Sequence, residues 1–128
     1  MAGTVTTTED MVGALHKVKF DWTSDAAGAA DGVTTARVSG AIMQAVFDPA
    51  SAASQPTDAY DVVITDIDGV DVLNGLGANL SNAANVVKRG TDGLLYTKSS
   101  LLTLAVTNAG DTKSGAIILY IINLENHY

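Results

Sequence analysis

Asp66, Asp68 and Asp71 fall within Asp66-Ile67-Asp68-Gly69-Val70-Asp71, a spacing at which three carboxylates could gather around a Ca²⁺ ion. An EF-hand loop, however, sets its glycine at the sixth position and a bidentate Glu at the twelfth. Here glycine is fourth and Gly77 stands twelfth, so the stretch reads as a turn with solvated acids, and weak ion binding is the alternative. Gly75-Leu76-Gly77-Ala78-Asn79-Leu80 shares two glycines with a dinucleotide-binding loop. That motif needs a third glycine or alanine where Leu80 stands, and a strand-loop-helix frame where the neighbouring segments read as hairpins. The two histidines, His16 and His127, are a strand residue of buried-face parity and a tail residue, and neither is spaced for a metal site or a Ser-His-Asp triad. Asn79-Leu80-Ser81 matches a glycosylation acceptor without a secretory leader to make use of it. Tyr60, Tyr96, Tyr120 and Tyr128 are the loose aromatic candidates for stacking on a sugar, and Tyr120 falls inside an inner strand. The sequence offers no catalytic, cofactor-binding or metal-binding constellation, and no enzymatic activity is expected.

Composition narrows the remaining classes. The 128 residues suffice for one domain with a real core. Charged residues make up 16%, against roughly 25% in typical globular proteins, which leaves a surface with little to repel a neighbour. The net charge is -7, and the seven Lys and Arg are scattered, with only Lys88 and Arg89 adjacent. This is not the clustered basic footprint that neutralises phosphates, so no nucleic-acid partner is expected. No cysteine is present, which removes disulfides, thiolate zinc sites and Cys nucleophiles together. The opening residues lack the basic and apolar regions of a signal peptide, and no apolar run is long enough for a membrane span. The expectation is a protein made in the cytoplasm, with no membrane partner.

The elements that would position these residues are strands. Ala116 to Leu124 is a continuous apolar, β-branched run, which predicts a strand covered on both faces. His16, Val18, Phe20 and Trp22 alternate with Lys17, Lys19, Asp21 and Thr23, the period-two pattern of a strand with Trp22 turned inward. Val33 to Phe47 predicts one bent strand or two with a bulge at Gly40; Val38, Ile42 and Val46 would share one face, and Met43, Ala45 and Phe47 the other. Asp48 to Thr57 reads as a crossover loop in which Ala50 to Gln55 could make one helical turn, and Ser24 to Gly32 reads as a mobile loop. Ala59 to Gly75 predicts a hairpin about a type I′ turn at Asp68-Gly69. Ser81 could cap a short helix near 82–89, ended by Gly90. Strands over 93–98 and 100–108 follow, and the turn Asn108 to Gly115 predicts a second hairpin. The sum is an all-β protein, an antiparallel β-sandwich of about eight strands of jelly-roll type, with residues 1–10 as an arm or edge strand and 11–128 as a single domain.

Across nearly its full length the chain resembles the small decoration, or cement, proteins of tailed bacteriophage capsids. The likeness lies in the Thr-rich start, Lys17-Val18-Lys19-Phe20-Asp21-Trp22, the run from Thr57 to Leu73, and Gly75 to Ser81. The resemblance implies a jelly-roll subunit that forms homo-oligomers on the exterior of the virion and clamps neighbouring major capsid proteins. On that expectation the arm of residues 1–9 and the loops Asp25 to Asp31 and Asp48 to Thr57 make the contacts. The competing expectation is a lectin-like or receptor-binding sandwich module of a phage tail or fibre.

Overall fold

The computed structural model describes residues 3–34 and 37–122, without the side chains of residues 98 and 99. Nine strands occur among them: β1 (Thr4–Val12), β2 (Leu15–Thr23), β3 (Ala30–Val33), β4 (Val38–Pro49), β5 (Asp61–Thr65), β6 (Val86–Arg89), β7 (Tyr96–Ser100), β8 (Thr103–Thr107) and β9 (Ser114–Ile122). Two antiparallel sheets form. One has the order β1-β2-β9-β4-β6, with β7 also pairing β4, and the other has the order β3-β8-β5. The pairs β2:β9, β3:β8 and β4:β7 are nested in sequence, like a long antiparallel ribbon rolled up so that successive segments alternate between layers. That is a jelly roll in which the last strand of the smaller sheet is reduced to the bridge Thr65↔Asp71. The fold is therefore an all-β sandwich.

The core lies between the sheets. β9 is held between β2 and β4 and sends Ile117, Leu119 and Ile121 inward, all fully buried. From β2, Val18, Phe20 and Trp22 meet them, and β5 and β8 supply Val62, Ile64, Leu104 and Val106 from the opposite layer. The Trp22 and Tyr60 rings lie 5.7 Å apart at 44°, a tilted contact that bridges the layers. Alternation in β2 thus translates directly into burial. The opposite side of β9 differs from expectation. Ile118, Tyr120 and Ile122 are only half-buried, because among the described residues no layer covers the outer face of the larger sheet.

β4 carries two irregularities. Gly40 sits where its register with β7 shifts, at φ +136, as its position in the strand led one to expect. A second shift lies between Ile42 and Gln44 against β9, and makes Met43 an extra residue. An inserted residue reverses the face of everything beyond it. Val38 and Ile42 therefore share the core with Ala45 and Phe47, while Met43 is turned out at 49% exposure and Val46 is half-exposed. The face assignment for Val33 to Phe47 is corrected accordingly.

Other expectations are also revised. The Asn108–Gly115 segment is not a hairpin turn, because β8 and β9 lie in different sheets; Ser24 Oγ accepts from Lys113 N at 2.8 Å and donates to Gly110 O at 2.6 Å, fixing this crossover. Residues 82–89 form no helix. Ser81 Oγ does accept from Ala83 N at 3.2 Å, but β-branched Val86 and Val87 pair with Phe47 and Val46, and the edge of β4 satisfies their backbone groups better than a helix would. Gly90 opens a 3-10 turn, Gly90–Asp92, in place of ending a helix. The helical turn read within Ala50 to Gln55 is present as a 3-10 turn at Ala52–Ser54. Residues 4–10 lie in β1, which continues without a break to Val12 and pairs with β2 over all nine of its positions.

Candidate interaction surface

The acidic stretch is a pair of backbone caps. Asp66 Oδ1 accepts from the N–H of Asp68 at 2.9 Å and of Val70 at 3.0 Å, while Asp66 O accepts from Gly69 N at 3.1 Å. Only Gly69, at φ +81, occupies the left-handed region, so the turn is not of type I′, which requires positive φ at both central residues. Asp71 Oδ1 accepts from Ile64 N at 3.3 Å and Leu73 N at 3.0 Å, and its Oδ2 from Gly75 N at 2.9 Å. These oxygens point at amides. Among the described residues no group of three or more His, Asp or Glu side chains is placed to hold a metal ion. Asp71→Ala should cost about 2 kcal/mol of stability in urea denaturation, since it strands three amides, whereas Asp68→Ala should cost under about 0.5 kcal/mol.

The remaining candidates are dispersed. Gly75 and Gly77 belong to successive turns running beside β5, with Val62 N donating to Gly77 O at 2.7 Å. Asn79, in the left-handed region at φ +54, donates its N–H to Asp61 Oδ1 at 2.9 Å. His16 is buried at 6% exposure, with Nε2 3.2 Å from Glu9 Oε1, so it ties β1 to β2. Tyr60 lies in the core, and burial together with the charge of Asp48 pushes its phenol up to about 12. Tyr120 is half-buried on the outer face, its ring centroid 6.0 Å from Lys17 Nζ, and Tyr96 stands 76% exposed. His127 and Tyr128 lie outside the described residues. The segment read as a loop from Ser24 to Gly32 is pinned and already enters β3 at Ala30: Asp25 Oδ1 accepts from Ala27 N at 2.9 Å and Ala29 N at 3.0 Å. Hydrogen bonds from Ala29, then from Ala27 and Gly28, hold the Asp25 carboxyl below the usual carboxylate range despite some desolvation.

What the fold does assemble is the outer face of the six-stranded sheet. The registers Tyr96↔Ala41, Ala41↔Ile122, Ile122↔Leu15 and Leu15↔Val12 place five apolar side chains in one row across five strands. Its ends are the most exposed, Tyr96 at 76% and Val12 at 71%. Beside the row, Ala41, Met43, Leu94 and Tyr96 line an apolar groove of about 410 Å³, with Arg89 at its rim. The next rows mix Val46, Ile118 and Tyr120 with Lys17 and Lys19, the latter 3.7 Å from Asp21. At the far end Gly115 and Ala116 make a low floor between strands. There Thr4, Thr6, Thr23 and Ser114 join Asp21 and Asp48 around a polar groove of about 400 Å³. Sequence reasoning missed this surface, because the row draws one residue from each of five distant segments. Its only local sign was the apolar pair Val12 and Leu15 flanking Gly13-Ala14.

No protein-family model matches the sequence, and no curated protein matches it. Among solved structures the chain is similar to one from work on the "promiscuous specificity of the carbohydrate-binding modules from the beta-sandwich super family", with a TM-score of 0.34 and 14% identity. The match covers 96% of this chain and 54% of that one, so the chain spans about half the length of that structure.

Proposed function

We propose that this protein is a capsid decoration, or cement, protein: a structural component that binds the outside of a tailed-phage head and stabilises contacts between major capsid proteins. The observation supporting this reading is the uncovered outer face of the larger sheet, with its apolar row from Tyr96 to Val12. Contiguous exposed apolar side chains rimmed by polar ones are the usual signature of a protein contact site. Burying them against a shell returns about 25 cal/mol per Å², and repetition over many equivalent positions multiplies modest contacts by avidity. On this reading the partners are the major capsid protein and other copies of the chain, the location is the virion exterior, and there is no catalysis.

The test is saturable co-sedimentation of the purified protein with heads of the phage that encodes it, prepared without this chain. Binding should fall at least 10-fold for Leu15→Asp with Tyr96→Ala, while circular dichroism stays unchanged. Absence of binding by the unmodified protein would overturn the reading. The hydroxyl-lined groove at Thr4, Thr6, Thr23 and Ser114 favours a second reading, a sugar-binding module of a tail or fibre. Glycan-array binding lost on Asp21→Ala, with none to heads, would replace the first reading by the second.

A further inference from the structure

We infer that the partner segment seated on the outer face of the larger sheet is both apolar and acidic: its apolar side chains cover the row from Tyr96 to Val12, and its carboxylates meet Arg89 and Lys17. This rests on the reading of that face as a contact surface and names the chemistry of what it contacts.

The row beside the apolar one carries two cations. The registers Arg89↔Gln44, Gln44↔Tyr120 and Tyr120↔Lys17 set them at the ends of one line across four strands. Neighbouring strands lie about 4.8 Å apart, so the two charged positions are separated by about 14 Å. Adjacent rows on one face are about 7 Å apart, which keeps both cations within side-chain reach of the apolar row. Neither forms an ion pair among the described residues. Lys17 Nζ stands 6.0 Å from the Tyr120 ring centroid, a contact that holds it over the outer face without neutralising it. Arg89 is exposed at the rim of the groove formed by Ala41, Met43, Leu94 and Tyr96.

Covering the apolar row has a consequence for these charges. A layer laid over Tyr96, Ala41, Ile122 and Leu15 also strips water from Arg89 and Lys17, and a desolvated charge without a counter-charge is costly. A purely apolar partner would bear that cost, and a basic one would add repulsion to it. Among the described residues Asp10, the cross-strand neighbour of Lys17, is the one acid in these two rows, so positive charge is in excess there on a chain whose net charge is -7. Carboxylates from the partner answer both cations: the guanidinium fork of Arg89 matches a carboxylate through two hydrogen bonds, and the Lys17 ammonium attracts one as a point charge. The sign reverses toward the other end of the face, where Asp21 and Asp48 flank Ala116. The partner's acids therefore belong at the Tyr96 end, and this gradient fixes the direction in which the partner lies.

A library of random short peptides, selected on the immobilised full chain, tests this without any knowledge of the natural partner. Enriched peptides should combine Asp or Glu with apolar residues, and should bind Arg89→Gln and Lys17→Gln more weakly by about 10-fold or more. They should bind Lys88→Gln unchanged, because the register of Lys88 with buried Ala45 puts it off this face. Replacing a peptide acid by Lys should restore binding to Arg89→Glu, or to Lys17→Glu, which lies on a different strand. Circular dichroism checks that each variant is folded. Enrichment of peptides without acids, no enrichment at all, or equal binding to the unmodified protein and to both Gln variants would overturn the inference. So would a dimer in sedimentation equilibrium that Leu15→Asp converts to monomer, since a second copy would then occupy the face. With heads as the probe, Arg89→Gln combined with Lys17→Gln should weaken co-sedimentation by about 10-fold or more. Heads that bind this double variant normally yet release Leu15→Asp with Tyr96→Ala would overturn the inference and leave the capsid reading standing. Acidic peptides selected as described, with no binding to heads, would uphold the inference and overturn the capsid reading alone.

Discussion

Gly40→Val is expected to abolish the cooperative folding of this protein. Gly40 holds φ +136, a region closed to β-branched residues, near the start of the longest strand. An ideal Cβ there would stand 2.0 Å from Ile122 O, 2.7 Å from Ile122 C and 2.9 Å from Ile121 Cγ2. Two of those three atoms are backbone, and belong to the strand that holds the sheet together. Relief would require β4 to move away from β9, breaking the register that carries Ala41 and Ile42 against Ile122 and Ile121. Backbone strain alone is worth about 1–3 kcal/mol, and the lost pairing adds to it. The total approaches the whole stability of a domain this size, about 5–15 kcal/mol. Far-UV circular dichroism through a urea titration should show no sigmoidal transition. Gly69→Ala is the control: φ is also positive, at +81, but nothing lies within 4 Å, so the loss should stay near about 1 kcal/mol. A Gly40→Val protein that unfolds like the unmodified one would contradict the backbone described at β4.

Leu119→Ala should destabilise by about 3–4 kcal/mol, and Ile118→Ala by only about 1 kcal/mol. The two residues are adjacent in β9 and similar in volume. Leu119 is fully buried between the layers, opposite Val18 on one side and Ala45 on the other, so truncation leaves a cavity that neighbours on both flanking strands cannot close. Ile118 faces outward beside Val46 and Lys19, where solvent fills the space left behind. Urea midpoints at constant m-value measure the difference directly. Equal losses would mean that a second layer covers the outer face, and would remove the surface on which the adhesion reading depends.

That pair of neighbours also marks where sequence reasoning succeeded and stopped. Period-two alternation in β2 identified the strand and its inward face, since Val18, Phe20 and Trp22 each cost too much to leave in water. In β9 every residue from Ala116 to Ile122 is apolar, so the pattern could not separate a doubly covered strand from one whose outer face awaits a partner. The bulge at Met43 was invisible because nothing about methionine demands an extra residue; it exists only relative to β9, which lies about seventy positions further on. Asp-Gly at 68 and 69 signalled a turn correctly, but the turn type was set by the Asp66 carboxylate reaching two amides, a side-chain choice that the dipeptide does not encode. Asn108 to Gly115 looked like a hairpin because local spacing says nothing about which layer a strand joins. The contact surface was illegible for the same reason, being a property of register among five strands.

The central place of β9 has a consequence for biosynthesis. A growing polypeptide that has emerged through β8 already exposes β2 and β4, yet the strand that joins them has still to leave the ribosome. Until it does, two long strand edges face solvent with no mate, the condition in which nascent chains stick to one another or recruit chaperones. Intermediates from which β9 has not yet emerged should therefore remain protease-sensitive, and resistance should appear in a single step once it has.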